Sequence, residues 1–382
     1  MRIPFHKPSI TQREIDAVAE CMRSGWLTMG RATFEFERKF AGYIGAGNAV
    51  ALNSGTSALH LALRAAGLAR GDEVIVPAMT FTATAEVVRY FDAFPVIADV
   101  GRETHNIRVD EIEKKITPKT RAVIPVHYSG QPADMDEIMD LARKKGIAVI
   151  EDAAHSLPAS YRGRNIGVIG DMTCFSFYAT KTLSTGEGGM ITTENNGWAE
   201  EIRTLRLHGI SKDAWNRYEH GGSWRYDVVD AGYKYNPTDI SSSMGLVQLE
   251  RLDEMQKKRE AIAAFYGECF RDNDSLITYE PGPDRKSSWQ LYPLKLKLES
   301  LSVGRDEFIA RLGEKDVGVS VHFIPLYRFS YYKSLGYDAT AFSDSEWIFE
   351  RTLSLPIYPD MTAAEMEYVA RAVADTAGEC RR

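Results

Sequence analysis

Cysteine is scarce in this chain: four residues in 382, at positions 21, 174, 269 and 380, with no CxxC pair among them. That scarcity argues against a zinc site and against a disulfide framework. Long apolar runs are missing, and the opening MRIPFHKPSI lacks the apolar stretch of a secretory signal. No GxGxxG follows the first β-type run, which disfavours a nicotinamide-binding Rossmann unit. An excess of positive charge is missing too. The formal net charge is −7, so no general affinity for nucleic acid or an anionic membrane is implied. No basic segment or helix-turn-helix is attached. These absences lead us to expect a cytoplasmic α/β protein that binds no metal, membrane or nucleic acid.

Hydrophobic residues make up 44% of the chain, ample for a large core, and the length suggests a large domain with a smaller one. Thr11 and Glu14 form a capping-box pattern ahead of a helix that Gly25 stops, and Phe34–Tyr43 reads as a second helix. β-type runs at Ala49–Leu52, Val74–Pro77, Pro95–Val100, Arg121–Val126 and Ile147–Glu151 then alternate with amphipathic helices. That alternation predicts βαβ units and a buried, mostly parallel sheet. A long helix opens at Thr238 or Asp239 and runs to about Cys269. It leads into a smaller α+β domain with strands at Leu291–Leu298 and Val319–Phe323 and a final helix at Ala363–Thr376. The expected division is 1–250 for the large domain and 251–382 for the linking helix and small domain.

In open α/β sheets, ligands sit beyond the carboxyl ends of the strands. Asn53-Ser54-Gly55-Thr56-Ser57 joins the first strand to a helix, which suits a phosphate held by free N–H groups and hydroxyls; Ser and Thr are equally ordinary N-caps. Phe81 follows the second strand, Asp152 and His155 follow the fifth, and Lys181 follows the β-type run Thr173–Phe177. Singly, Asp152 could be a helix cap, Phe81 core packing, His155 a surface histidine and Lys181 a loop residue. Together they offer an amine for a Schiff base, a carboxylate for a pyridine nitrogen, an aromatic ring to stack on it and a phosphate cradle. Those are the parts that pyridoxal 5'-phosphate (PLP) needs.

The segments LNSGTSALHLAL (52–63), VIEDAAHS (149–156), FSFYATKTLSTGEGGM (175–190) and GYKYNPTDISSSMGLVQLERLDE (232–254) resemble the DegT/DnrJ/EryC1/StrS family of sugar aminotransferases, and the likeness runs over essentially the whole chain. The resemblance implies a fold-type-I PLP enzyme. In it Lys181 would be the Schiff-base lysine, Asp152 the partner of the pyridine nitrogen, His155 a neighbour of the ring hydroxyl and Phe81 the stacking residue. Gly55, Thr56, Ser57 and Ser176 would lie at the phosphate, and Asn236 would reach it from the other subunit of a homodimer. Family members that dehydrate sugars carry His where Lys181 stands, so the lysine favours transamination. The resemblance further implies L-glutamate as amino donor and a nucleotide-linked keto-sugar as acceptor. The motifs look most like enzymes acting on the 4-keto position of UDP-linked sugars in cell-surface polysaccharide, lipopolysaccharide or glycan biosynthesis. A 3-keto-sugar aminotransferase on a dTDP- or UDP-sugar, or a PLP-dependent sugar dehydratase, is the alternative. Trp224, Arg225, Tyr226 and His322 are candidate sugar or nucleotide contacts.

Overall fold

The computed structural model describes residues 1–210 and 226–382. Two helices, α1 (Gln12–Ser24) and α2 (Arg31–Ile44), precede the sheet. The chain then alternates through β1 (Asn48–Leu52), α3 (Gly55–Ala65), β2 (Glu73–Pro77), α4 (Ala83–Arg89), β3 (Phe94–Ala98), α5 (Val109–Lys115), β4 (Thr120–Val123), α6 (Met135–Lys145) and β5 (Ala148–Asp152). A small ribbon, β6 (Ser160–Tyr161) and β7 (Arg164–Asn165), separates these from β8 (Met172–Ser176), β9 (Gly189–Thr193) and α7 (Asn196–Leu205). The long helix α8 (Asp239–Phe270) leads to β10 (Leu276–Ile277), β11 (Arg285–Lys286), β12 (Tyr292–Leu296), α9 (Arg305–Glu314), α10 (Ser330–Ser334), α11 (Ser343–Arg351), β13 (Thr352–Leu355) and α12 (Ala363–Glu379).

The central sheet has seven strands in the order β1-β9-β8-β5-β4-β2-β3. All run parallel except β9, which is antiparallel to both of its neighbours. Both faces are covered, as a parallel sheet requires. Period-two alternation assigns the faces: Val74, Val76 and Ile150 pack with α3, α4 and α7, while Ile75, Val149 and Phe175 pack with α2, α6 and the first half of α8. A third core gathers Ile262, Tyr266 and Phe270 of α8 with Leu294, Leu353, Phe308 and Val373. Residue 250 therefore falls inside a continuous helix that enters two cores.

The expected strand at Val319–Phe323 does not form. The place beside β12 goes to β13, and the 319–323 stretch keeps only the bridge between Ser320 and Ser354. Beyond Ser320 the chain departs from the edge of β13: His322 and Phe323 line a cavity at the large sheet, with only the His322 Nδ1 still 2.9 Å from the Ser354 hydroxyl. Between them and β13 the chain makes an excursion, residues 325–351, back onto the large sheet. The Leu326 N–H donates to the Ala78 carbonyl at 3.0 Å. Asp99, just past β3, accepts from the N–H groups of Asp344 and Ser345 at 3.0 and 2.9 Å and from the Ser345 hydroxyl, so it caps α11 from outside.

A second carboxylate works in the same way. Thr238 caps α8 by accepting from the Ser241 N–H. Asp239 instead caps α2, whose own N-cap is Gly30 with no side chain to offer. Its carboxylate accepts from the N–H groups of Gly30, Ala32 and Thr33 at 2.8, 3.1 and 3.0 Å and from the Thr33 hydroxyl at 2.7 Å. These donors are the orphans of a helix N-terminus, where the dipole also favours an anion. Replacing Asp239 with Ala should lower stability by about 2–4 kcal/mol, against about 1 kcal/mol for Thr238→Ala. Thermal unfolding of the two variants checks the order, and a smaller loss for Asp239→Ala would remove it from this role.

Candidate active site

A cavity of about 500 Å³ opens where the chain leaves the carboxyl ends of β1, β2, β5 and β8. Gly55 and Thr56 line it from the turn after β1, Thr80 and Phe81 from the turn after β2, Asp152, Ala154 and His155 from the end of β5, and Ser176 from the end of β8. Lys181 lies among them. His322 completes the set from the small sheet's side.

Lys181 stands in the connection between β8 and β9. The Phe177 N–H donates to the Gly188 carbonyl at 2.8 Å and the Thr185 N–H to the Phe177 carbonyl at 2.9 Å, so the connection is tied at its base. The Lys181 N–H donates to the Tyr178 carbonyl at 2.9 Å, closing a tight turn on the lysine itself. Burial lowers the lysine to about 8, with the Asp152 carboxylate opposing that shift. An amine at that value is partly free near neutral pH.

Asp152 is 6% exposed. Its carboxylate accepts from the Thr84 hydroxyl at 2.8 Å and from the Ala154 N–H at 3.1 Å. Burial pushes the carboxyl up, against these two bonds and the charge of Lys181. His155 is also buried, and its Nδ1 has no hydrogen-bond partner among the described residues. Burial drives its imidazole well down, with Lys181 and His322 adding to the effect. Its ring stacks on Phe323, with centroids 5.8 Å apart. Phe81, which lines the cavity, also contacts Phe323, with centroids 6.2 Å apart, and is 60% exposed. His322 stacks on Phe5, and its Nδ1 lies 2.9 Å from the Ser354 hydroxyl.

The turn after β1 is built for close approach. Ser54 caps α3 by accepting from the Ser57 N–H at 3.0 Å, and Gly55 and Thr56 of the same first turn line the cavity, where the N–H groups of a helix start lack intrahelical partners. A Cβ on Gly55 would stand 2.9 Å from the Ser176 Cβ, so glycine lets the helix start against the end of β8. Ser57 is different: its hydroxyl bonds to Asn53 Oδ1 at 2.5 Å and Ser54 Oγ at 2.8 Å, and it does not line the cavity. Asn236 does not line it either. Its Nδ2 donates to the Pro237 carbonyl, and its Oδ1 is buried with no partner among the described residues. Tyr226 is exposed and lies outside the cavity lining. Trp224 and Arg225 lie outside the described residues.

Several lining residues were not foreseen. Phe5, His6, Gln290 and Phe323 enter from segments far from the sheet in sequence. His6 is held down at about 4 by burial and by Arg259. Thr84 was not foreseen either, although its place one helical turn after Thr80 on the same connection could have marked it.

A family model for DegT/DnrJ/EryC1/StrS aminotransferases matches residues 8–374. The chain belongs to this family. Its relatives include the uncharacterized protein MJ1066 of Methanocaldococcus jannaschii, 48% identical over 99% of this chain and 98% of that protein. The spore coat polysaccharide biosynthesis protein SpsC of Bacillus subtilis is 47% identical over 98% of this chain and 96% of its own. Among solved structures, a proposed sugar aminotransferase of Streptococcus pneumoniae, Spr1654 in its PLP form, superposes with a TM-score of 0.93 at 34% identity, covering 99% of both chains.

The protein is thus a PLP-dependent sugar aminotransferase with the fold-type-I architecture. Its cavity fits the cofactor on its own terms. A buried carboxylate suits a ring cation, an orphaned His155 Nδ1 suits a ring hydroxyl, and the Gly55 turn suits a phosphate. The free form of an amine that titrates at about 8 increases as pH rises through that value. The rate at which the apoprotein captures PLP should therefore climb through pH about 8 and level off above it. Stopped-flow growth of the visible band checks this, with Lys181→Ala as the control that forms none. A rate flat across that range would mean that another group controls capture.

Proposed function

We propose that this enzyme moves the amino group of L-glutamate to the keto carbon, C4, of a UDP-linked sugar. The product would be a nucleotide amino sugar for cell-surface polysaccharide or glycan. The observation that carries amino transfer is the Lys181 amine, lowered to about 8 in the same cavity as the buried Asp152 carboxylate. The likeness to SpsC, a spore coat polysaccharide biosynthesis protein, supports a polysaccharide destination, and the sequence motifs support the UDP-linked, 4-keto acceptor.

Each group has a definable task. When bound, PLP supplies the electron sink that stabilises negative charge on the carbon bearing the transferred nitrogen. Asp152, held in place by Thr84 and the Ala154 N–H, would keep the ring nitrogen protonated and so maintain that sink. The N–H groups at the start of α3, with Thr56 and Ser176, would hold the phosphate. His155, stacked on Phe323, would hydrogen-bond the ring hydroxyl. The Lys181 amine takes the proton from the α-carbon of the donor, and later delivers one to the sugar carbon that receives nitrogen. That is general acid–base work by an amine held beside the reacting carbon in each half-reaction.

The test begins with the PLP-loaded protein and L-glutamate alone. Loss of the visible band with release of 2-oxoglutarate is expected. A panel of UDP- and dTDP-linked 3-keto and 4-keto sugars should then restore the band, fastest with a UDP-4-keto sugar. Restoration by 3-keto sugars only would move the ring position. Ammonia release with a deoxy-keto product would replace the reading with dehydration.

The enzyme is proposed to act as a homodimer in which Asn236 completes the phosphate site of the other copy. Its position outside its own cavity supports this, and its Nδ2, which donates one N–H to the Pro237 carbonyl, keeps a second N–H to offer a phosphate. Lys181→Ala and Asn236→Ala proteins, each impaired alone, should regain activity when unfolded and refolded together, because mixed dimers carry one intact site. Failure to regain activity, with mixed dimers demonstrated by mass, would place Asn236 elsewhere.

A further inference from the structure

Gln290 enters the cavity from the stretch just before β12, and no task above uses it. It is 5% exposed. Its Nε2 donates to the Thr180 carbonyl at 2.8 Å, one residue before the lysine. That bond fixes the amide's orientation, because a flipped amide would set two acceptors against each other. Oε1 is left buried with no hydrogen-bond partner among the described residues. A buried acceptor without a partner costs free energy, so a ligand that supplies a donor there is favoured.

The stretch that carries Gln290 is held rigidly. The Ser288 hydroxyl donates to the His155 carbonyl. The Ser129 hydroxyl donates to the Leu291 carbonyl at 2.8 Å, and Arg259 donates to the Trp289 carbonyl at 3.1 Å. Between these anchors Trp289 adopts a φ of +49°, a left-handed conformation that a bulky residue takes up only when its surroundings impose it. The amide is thus fixed in place before any ligand arrives, which suits recognition.

We propose that Gln290 is a substrate-recognition residue whose Oε1 accepts a hydrogen bond from a hydroxyl of the sugar. This rests on the sugar-aminotransferase reading. The chemistry of the two substrates decides between them. An amide oxygen accepts and cannot donate, so it gives nothing to the carboxylates of an amino acid donor. That donor's single ammonium group is the reacting nitrogen. A sugar carries several hydroxyls, each able to donate, and the carbons beside the keto group bring them close to the lysine.

The test compares the two half-reactions in Gln290→Met, which keeps the length and removes both polar atoms. The acceptor is whichever keto-sugar the wild-type enzyme aminates best, so an error in ring position or nucleotide shows in the wild-type panel and not in this comparison. For the sugar half-reaction, kcat/KM is expected to fall about ten- to a hundredfold. The loss in the amino-donor half-reaction should be at least about tenfold smaller. Equal losses in both would make Gln290 a positioning residue for the Thr180–Lys181 turn and overturn the proposal, as would no loss in either. Sugar analogues lacking one hydroxyl at a time, assayed on the wild type, give a readout that does not depend on how the variant folds. One analogue should lose a comparable factor on the wild type and little more on Gln290→Met. No sensitive hydroxyl on the wild type would also overturn the proposal.

Discussion

Two opposite ionisable groups share one desolvated cavity, and the site's chemistry depends on how burial treats each. Removing water disfavours charge, so it lowers the Lys181 amine and raises the Asp152 carboxyl. Their mutual attraction opposes both shifts. The balance leaves a lysine at about 8, a value suited to an amine that must both react with an aldehyde and carry protons. The surrounding imidazoles of His155 and His322 are both held down by burial and by the lysine itself, so they serve as neutral hydrogen-bonding groups.

The sheet supplies the convergence. Parallel strands aim their carboxyl ends at one edge, and because the reversed β9 starts where β8 ends, the lysine-bearing connection between them stays at that edge. Side chains from other elements fix the helices around it. Asp239 and Asp99 each satisfy a helix start whose own residues offer no side-chain cap, and so convert local deficits into long-range ties. Such capping at a distance stabilises tertiary placement and secondary structure together.

Much of this was legible in the sequence. Strand-to-helix alternation marked the parallel sheet because buried strands are runs of β-branched residues and their connections are amphipathic. Phe81, Asp152, His155 and Lys181 could be found because they end strands or stand within a few residues after them, where the sheet's own geometry places them. Ser57 was harder, because a hydroxyl after a strand serves a phosphate or its own turn, and here it bonds Asn53 and Ser54. Val319–Phe323 has the composition of a strand, yet it meets the edge of β13 only through Ser320, because the residues after it are drawn to the cavity, a choice made by packing between distant segments. Gln290, His6 and Phe323 carry no local signal, since what brings each to the cavity is the path of the chain through the third core and the N-terminal segment.

The excursion of residues 325–351 has a mechanical consequence. The chain leaves the small sheet at His322, anchors on Ala78 and Asp99 of the large one, and returns as β13. A clamshell that opens about a single flexible joint needs its two shells to be joined on one side only. Here the shells are laced together across both faces of the large sheet, by α8 packed on one and by this excursion packed on the other. Wide gaping would tear out a helix cap and a backbone bond at once. The stiffness favours a binding cleft of fixed width, in which selectivity among ligands is set by the shape of the walls.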